Sequence, residues 1–248
     1  MSNNGTFSTY IKEKVTSMKS KIAWVLRTFK TREKLTMLTL WKQLILSDHD
    51  YCSQLWSPDK VGDIQSLELL QRSYARKIYG IQTLSYWDQL KELKLYSLER
   101  RRERYIVIYI WRILEGSAPN ISNAITSQWH ARRGRMCEVP QISSRATIHV
   151  KTIRFSSFAS NGPRLFNCLP MHVRNLTGGS VDDFKRTLDL YLQNVPDEPL
   201  IPGYTLFRAI DSNSITAWSS HLARHRRDGP AAREKMQQEL RVDLPGSP

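Results

Sequence analysis

Carboxylates close together in sequence are the first place to look for chemistry on this 248-residue chain, and two groups qualify: the adjacent aspartates Asp182 and Asp183, and the cluster Asp48-His49-Asp50. Neighbouring aspartates hold the two Mg²⁺ ions of polymerase-type phosphoryl transfer, and a histidine beside two carboxylates suits a metal or a nuclease. Asp182 and Asp183 follow Ser180 and lead into a helical pattern at Phe184, so a capped helix N-terminus accounts for both. Asp48-His49-Asp50 lies in a helical stretch with no second carboxylate cluster near it in sequence. The remaining histidines, His130, His149, His172, His221 and His225, are scattered, with only His221 and His225 four apart and no cysteine pair near them, and Cys52, Cys137 and Cys168 form no Cys-x-x-Cys pair. No glycine-rich phosphate loop or nucleophile elbow is present. The residues therefore predict no catalytic site, no cofactor and no metal.

Binding of a polyanion is the chemistry that composition favours. Lys and Arg outnumber Asp and Glu by 37 to 23, giving a formal charge of +14 and a pI near 9.9, which points to nucleic acid ahead of an anionic membrane surface. Between Trp129 and Arg174 the bases Arg132, Arg133, Arg135, Arg145, Lys151, Arg154, Arg164 and Arg174 face the single acid Glu138. Arginine's planar fork suits bidentate phosphate contacts, and these residues, Arg174 apart, are predicted to make the main ones; a solvated loop face is the other explanation. Arg101 and Arg104, in the run Arg100-Arg101-Arg102-Glu103-Arg104, and Arg72, Arg76 and Lys77 complete the predicted binding set. Four arginines near a helix N-terminus oppose the helix dipole unless an anion compensates, although Glu99 and Glu103 stand within pairing distance along the helix. Tyr74, Tyr79, Tyr86 and Trp87 could stack on bases, but their helical spacing beside Leu84 and Leu90 fits a core better.

The elements that must position these residues are mostly helical. Ile11, Val15, Met18, Ile22, Val25 and Phe29 recur three and four apart on one stripe. Thr31 is placed to cap a second helix with an apolar face of Leu35, Leu38, Trp41 and Ile45, and a third runs from Val61 to Ile78, ending at Gly80. Ser85 caps a short helix to about Leu93, Ser97 caps one from Leu98 to Glu115, and Ser180 caps one carrying Phe184, Leu188, Tyr191 and Leu192. After Pro119 the chain is richer in β-branched residues. Alternation of Ile148, Val150, Thr152 and Arg154 against His149, Lys151 and Ile153 predicts one or two short strands within Gly134 to Phe158. Asn161-Gly162-Pro163 reads as a turn, and Pro196, Pro199 and Pro202 as the exit from the fold. A helix over Ile210 to Leu222 and a disordered basic tail from Ala223 follow.

Several phrases, in order, resemble the C-terminal part of the reverse transcriptase polyprotein of non-LTR retrotransposons, the jockey-like LINE class: Tyr51-Cys52-Ser53-Gln54-Leu55-Trp56-Ser57-Pro58, Leu69-Leu70-Gln71-Arg72-Ser73, Ser85-Tyr86-Trp87-Asp88-Gln89-Leu90, the arginine helix after Ser97, and Gly162-Pro163-Arg164-Leu165-Phe166-Asn167-Cys168-Leu169-Pro170. The resemblance runs from about Ile11 to Tyr204. It implies the thumb and post-polymerase region, without the endonuclease, the palm aspartates or a zinc knuckle; Mg²⁺ would belong to the missing palm.

The fold expected is mainly α: a thumb-like helical bundle over 1–118, a small basic α+β module over 119–195, and a Pro-rich exit, short helix and flexible basic tail over 196–248. The function expected is a non-catalytic fragment of an RNA-directed DNA polymerase that binds RNA or DNA template-primer, with upstream polymerase domains as a further partner. The alternative is a helical interaction or scaffold protein without nucleic-acid affinity. No segment approaches the roughly 18 apolar residues that span a bilayer, so the protein is expected to be intracellular, nuclear or cytoplasmic, with no membrane and no small-molecule partner.

Overall fold

A computed structural model describes residues 7–58, 60–120, 124–198 and 213–227, which are mainly helical with one two-stranded sheet. Helix α1 (Ser8–Thr28) buries the expected stripe from Ile11 to Val25 and lies along α5 (Val61–Ala75). Between them α2 (Lys34–Leu40), a π-helical turn (Trp41–Ile45) and α3 (Leu46–Asp50) follow without a break. The buried face of this run carries Met37, Trp41 and Ile45 and, in α3, Leu46 and His49, whereas Leu35 is 78% exposed. Steps of four drift around an ordinary helix, and the one wide π turn offsets that drift, so Met37, Trp41 and Ile45 stay in line. Glu33, not Thr31, occupies the N-cap. The Tyr74 hydroxyl donates to the Met37 carbonyl at 2.9 Å and ties α5 to this run. Helix α4 (Ser53–Trp56) and α6 (Tyr86–Leu93, capped by Ser85) complete the first apolar core.

Helix α7 (Leu98–Leu114) crosses from that core, which it enters with Leu98, to a second one, in which Ile106, Val107, Ile108, Ile110, Trp111 and Ile113 are all buried. A helix apolar nearly all round must be surrounded. The elements that surround it are an antiparallel hairpin of β1 (Ser127–His130) and β2 (Gly134–Cys137), α9 (Phe158–Asn167), α10 (Met171–Arg174), α11 (Val181–Leu192) and Ile215 at the start of α12 (Ile215–Arg227). Trp111 stacks on Phe184 with ring centroids 4.7 Å apart, and its indole donates to the Leu176 carbonyl at 2.8 Å. Ser97 and Ser180 cap α7 and α11 as their sequences require.

Four local expectations are corrected. The alternating segment after Thr147 is a helix, α8 (Ile148–Ser156). Among the described residues it has no neighbouring strand to pair with; Thr147 caps it, and Thr152 and Ser156 return their hydroxyls to carbonyls four residues back. Gly162 and Pro163 lie inside α9, not in a turn. A Cβ on Gly162 would sit 2.6 Å from Ile110 Cδ1, so glycine here lets α9 press against α7. The chain does not leave the fold at Pro196, because Val195 and Asp197 are buried. Helix α12 runs through Ala223 to Arg227, where a disordered tail was expected. Pro199, Pro202, the stretch from Ile210 to Ser212 and residues 228–248 lie outside the described residues.

Candidate functional site

Arg100, Arg101, Arg102 and Arg104 of α7, in the run predicted to face a polyanion, point into the protein. Arg101 makes a bidentate pair with Asp50 of α3, Nε to Oδ1 at 2.9 Å and Nη2 to Oδ2 at 2.6 Å. Arg104 makes the same kind of pair with Asp189 of α11, at 2.5 and 2.7 Å. Arg100 is fully buried and its Nη2 donates to the carbonyls of Pro196, at 3.0 Å, and Asn213, at 2.7 Å. Arg102, also buried, meets His49 Nε2 at 3.1 Å. The run is a four-way fastener around which α3, α11 and the C-terminal segment are held. The dipole cost of arginines on the first turns is met here by internal carboxylates and carbonyls.

Around that fastener lies a buried polar layer. The Asp197 carboxylate accepts from the Ser97 amide and hydroxyl and from the Asn213 amide, at 2.8, 2.6 and 2.7 Å. Glu103 accepts from the amide of Ile215 at 3.0 Å, which caps α12. Glu68 accepts from the Tyr86 hydroxyl at 2.5 Å and from the Leu98 amide, an orphan donor at the start of α7, at 2.9 Å. Burial pushes the Glu68 carboxyl up to about 7, and burial together with the Glu103 charge raises Glu99 to about 8. Burial also lowers His49 to about 4, so the ring is neutral, Arg102 donates to Nε2 and Nδ1–H faces Asp50 at 3.2 Å. Burial raises Asp50 too, but hydrogen bonds from His49 and Arg101 outweigh it and hold the carboxyl low. Perturbed carboxyls of this kind mark active sites in many proteins; here burial between the two cores raises Glu68 and Glu99, and the bonds from His49 and Arg101 lower Asp50.

Two further predicted phosphate ligands are also structural. Arg135 is buried, pairs with Glu115 at 2.5 Å and donates to the Leu114 carbonyl at 3.0 Å, closing the hairpin onto the end of α7. Arg164 donates to the Phe155 carbonyl at 2.5 Å and stacks over the Phe155 ring, 3.3 Å from its centroid, pinning α8 to α9. Arg174, buried beside them, donates to the carbonyls of Leu169, Arg135 and Arg133 at 2.8, 2.7 and 2.9 Å. Lys151 is half-buried and donates to the Ser144 carbonyl at 2.7 Å, and Arg72 is half-buried on α5.

What stays in water is a shorter set. Arg132 and Arg133 occupy the hairpin turn, Arg145 precedes α8, Arg154 lies on α8, and Arg76 and Lys77 follow α5; all six are exposed, and among the described residues no carboxylate pairs with them. Helix α8 buries none of its residues, and Ile148, Val150, Phe155 and, on β1, Trp129 are exposed. The hairpin and α8 both pack on α9, β2 through reciprocal bonds between Asn167 and the Cys137 backbone at 2.8 and 2.9 Å. Glu138 is the sole acid from Gly116 to Val181, and its carboxylate already accepts from Thr126 and Gln128. Of the aromatics weighed for stacking, Tyr74 is core, Tyr86 bonds Glu68, Trp87 lies under the Lys91 ammonium and Tyr79 is exposed.

The acidic clusters do not converge. Asp48 pairs with Lys21, Asp50 with Arg101, and Asp182 and Asp183 stand at the α11 N-terminus beside Lys185 and Arg186. Among the described residues no three metal-ligating side chains gather, and none of the described helices is long and apolar enough to cross a membrane. Comparison with known proteins finds no matching family model, no similar curated protein and no similar solved structure.

Proposed function

We propose that this protein binds RNA or DNA without acting on it, through the exposed arginines of the hairpin turn and α8, and that it corresponds to the thumb and post-polymerase part of a non-LTR retrotransposon reverse transcriptase. The observation that carries this reading is the division of the arginines: Arg101, Arg104 and Arg135 are neutralised by carboxylates within the fold, whereas Arg132, Arg133, Arg145 and Arg154 stand in solvent in a segment whose one acid is already engaged. Guanidinium groups with no carboxylate partner among the described residues are free to attract phosphate and release its counterions on contact. In the larger enzyme this surface would grip the template-primer, and the first helical core would be the thumb. Upstream polymerase domains, with their Mg²⁺, would be its covalent neighbours, and a nuclear or cytoplasmic location follows from that role.

The test is a titration of labelled RNA–DNA hybrid and matched single strands with the purified protein between about 50 and 200 mM salt. A steep loss of affinity with salt supports the assignment. No binding at the low end, by folded monodisperse protein, removes it. A helical interaction protein is the second reading, favoured by α8, whose residues are nowhere buried. It predicts self-association through that helix and no salt-dependent affinity.

A further inference from the structure

Two aromatic side chains lie exposed in this basic segment. Trp129, on β1 opposite Arg135, is 60% exposed, and Phe155, near the end of α8, is 57% exposed. Neither belongs to an apolar core. Trp and Phe at such exposure cost solubility unless something covers them. Both are set among free cations in sequence: Trp129 precedes Arg132 and Arg133, and Phe155 follows Arg154. Phe155 is held as well as exposed, since the Arg164 guanidinium carbon lies over its ring, 3.3 Å from the centroid, while the group donates to the Phe155 carbonyl. That clamp fixes the ring's orientation and lends it positive charge, and a stacked guanidinium leaves the opposite side of a ring available.

We propose that the ligand of this surface is a single-stranded nucleic acid whose unpaired bases stack on Trp129 and Phe155 while the flanking arginines hold its phosphates. This rests on the nucleic-acid reading above and narrows it. A duplex offers the same phosphates but keeps its base faces inside its own stack, so it satisfies the cations and leaves both rings in water. A single strand satisfies both. Every base has a π-face, so the preference is for strandedness rather than sequence.

The experiment compares three labelled probes with the same number of phosphates by fluorescence anisotropy at fixed salt: an oligothymidylate, an oligomer of abasic sites, and a duplex. The oligothymidylate should bind at least about tenfold tighter than the abasic strand, and Trp129→Ala and Phe155→Ala should each weaken it about 5- to 100-fold. Neither substitution should move the abasic affinity or the salt slope, and Trp129→Phe should restore most of the loss. Both side chains are outside the cores, so circular dichroism should show the variants folded. Equal affinity for all three probes, unchanged by the substitutions, overturns stacking and leaves the phosphate reading standing. Failure of every probe to bind at about 50 mM salt overturns both.

Discussion

Arginines that look alike in sequence should separate cleanly under mutation, because the fold pairs some of them internally and leaves others in solvent. A double substitution of Arg132 and Arg133 by alanine removes two exposed guanidinium groups that have no carboxylate partner among the described residues. If Arg132, Arg133, Arg145 and Arg154 each neutralise one phosphate of a single strand, log affinity falls with log salt at a slope of about −0.7 per contact, or roughly −3 in all. Affinity then drops about 50-fold from 50 to 200 mM salt. Without Arg132 and Arg133 the slope halves and the same change costs only about sevenfold. The melting temperature should not move, as surface charges far from a partner contribute little.

Arg104→Ala is the matched control. Among the described residues it leaves the half-buried Asp189 carboxylate with only the Tyr96 hydroxyl, 3.2 Å away. Charged hydrogen bonds of this type are worth about 2 kcal/mol, a fall of roughly 4–8 °C in a chain of this size, with the salt slope unchanged. Salt-dependent anisotropy and thermal unfolding on the same samples read both quantities. A flattened slope with unchanged melting in Arg104→Ala, or an unchanged slope in the Arg132/Arg133 variant, would refute the assignment.

Other outcomes test the frame that holds this surface. Glu68, raised from 4.5 to about 7, favours the neutral acid in the fold, so its share of stability falls as pH rises through that window; His49, lowered from 6.5 to about 4, contributes stability that is lost as pH falls through its own window. The two slopes oppose each other, each worth up to about 3 kcal/mol, so chemical denaturation, read as the difference from the parent curve, should show Glu68→Gln losing part of the fall between pH 4.5 and 7 and His49→Gln losing part of the rise between 4 and 6.5. Gly162→Ala should cost about 1–3 kcal/mol by overpacking against Ile110, and adding Ile110→Val should recover part of it, measured by urea unfolding as a double-mutant cycle. Ser97→Ala should cost about 1–2 kcal/mol, since it removes the α7 cap and a bond to Asp197 together.

Much of the helical frame was legible in the sequence because its determinants are local. The stripe of α1 and the Ser85, Ser97 and Ser180 caps need only residues three or four apart, and all were found as expected except that Phe29 lies just past the end of α1. What failed depended on partners distant in the chain. Nothing near Leu35 announces the π turn that moves the buried face to Met37. Gly162-Pro163 has the composition of a turn, and only the approach of Ile110, 52 residues earlier in the sequence, explains a glycine within a helix there. The β-branched run at Ile148 alternates like a strand, yet strands need neighbours, and β2 already pairs with β1.

The same distinction decides the site. Asp50 and Asp189 stand 51 and 85 residues from the arginines they neutralise, so a count of charges along the chain cannot tell a paired arginine from a free one. The acid content of a segment can. Pairing draws on a limited supply of carboxylates, and the acids outside Gly116 to Val181 are where the α7 arginines find theirs. Within that segment Glu138 stands alone and is bonded to its own hairpin. Arg135 escapes the shortage by reaching Glu115 just outside it, and Arg174 by collecting three carbonyls. Among the described residues Arg132, Arg133, Arg145 and Arg154 have no carboxylate partner, which is why the proposed phosphate contacts rest on them.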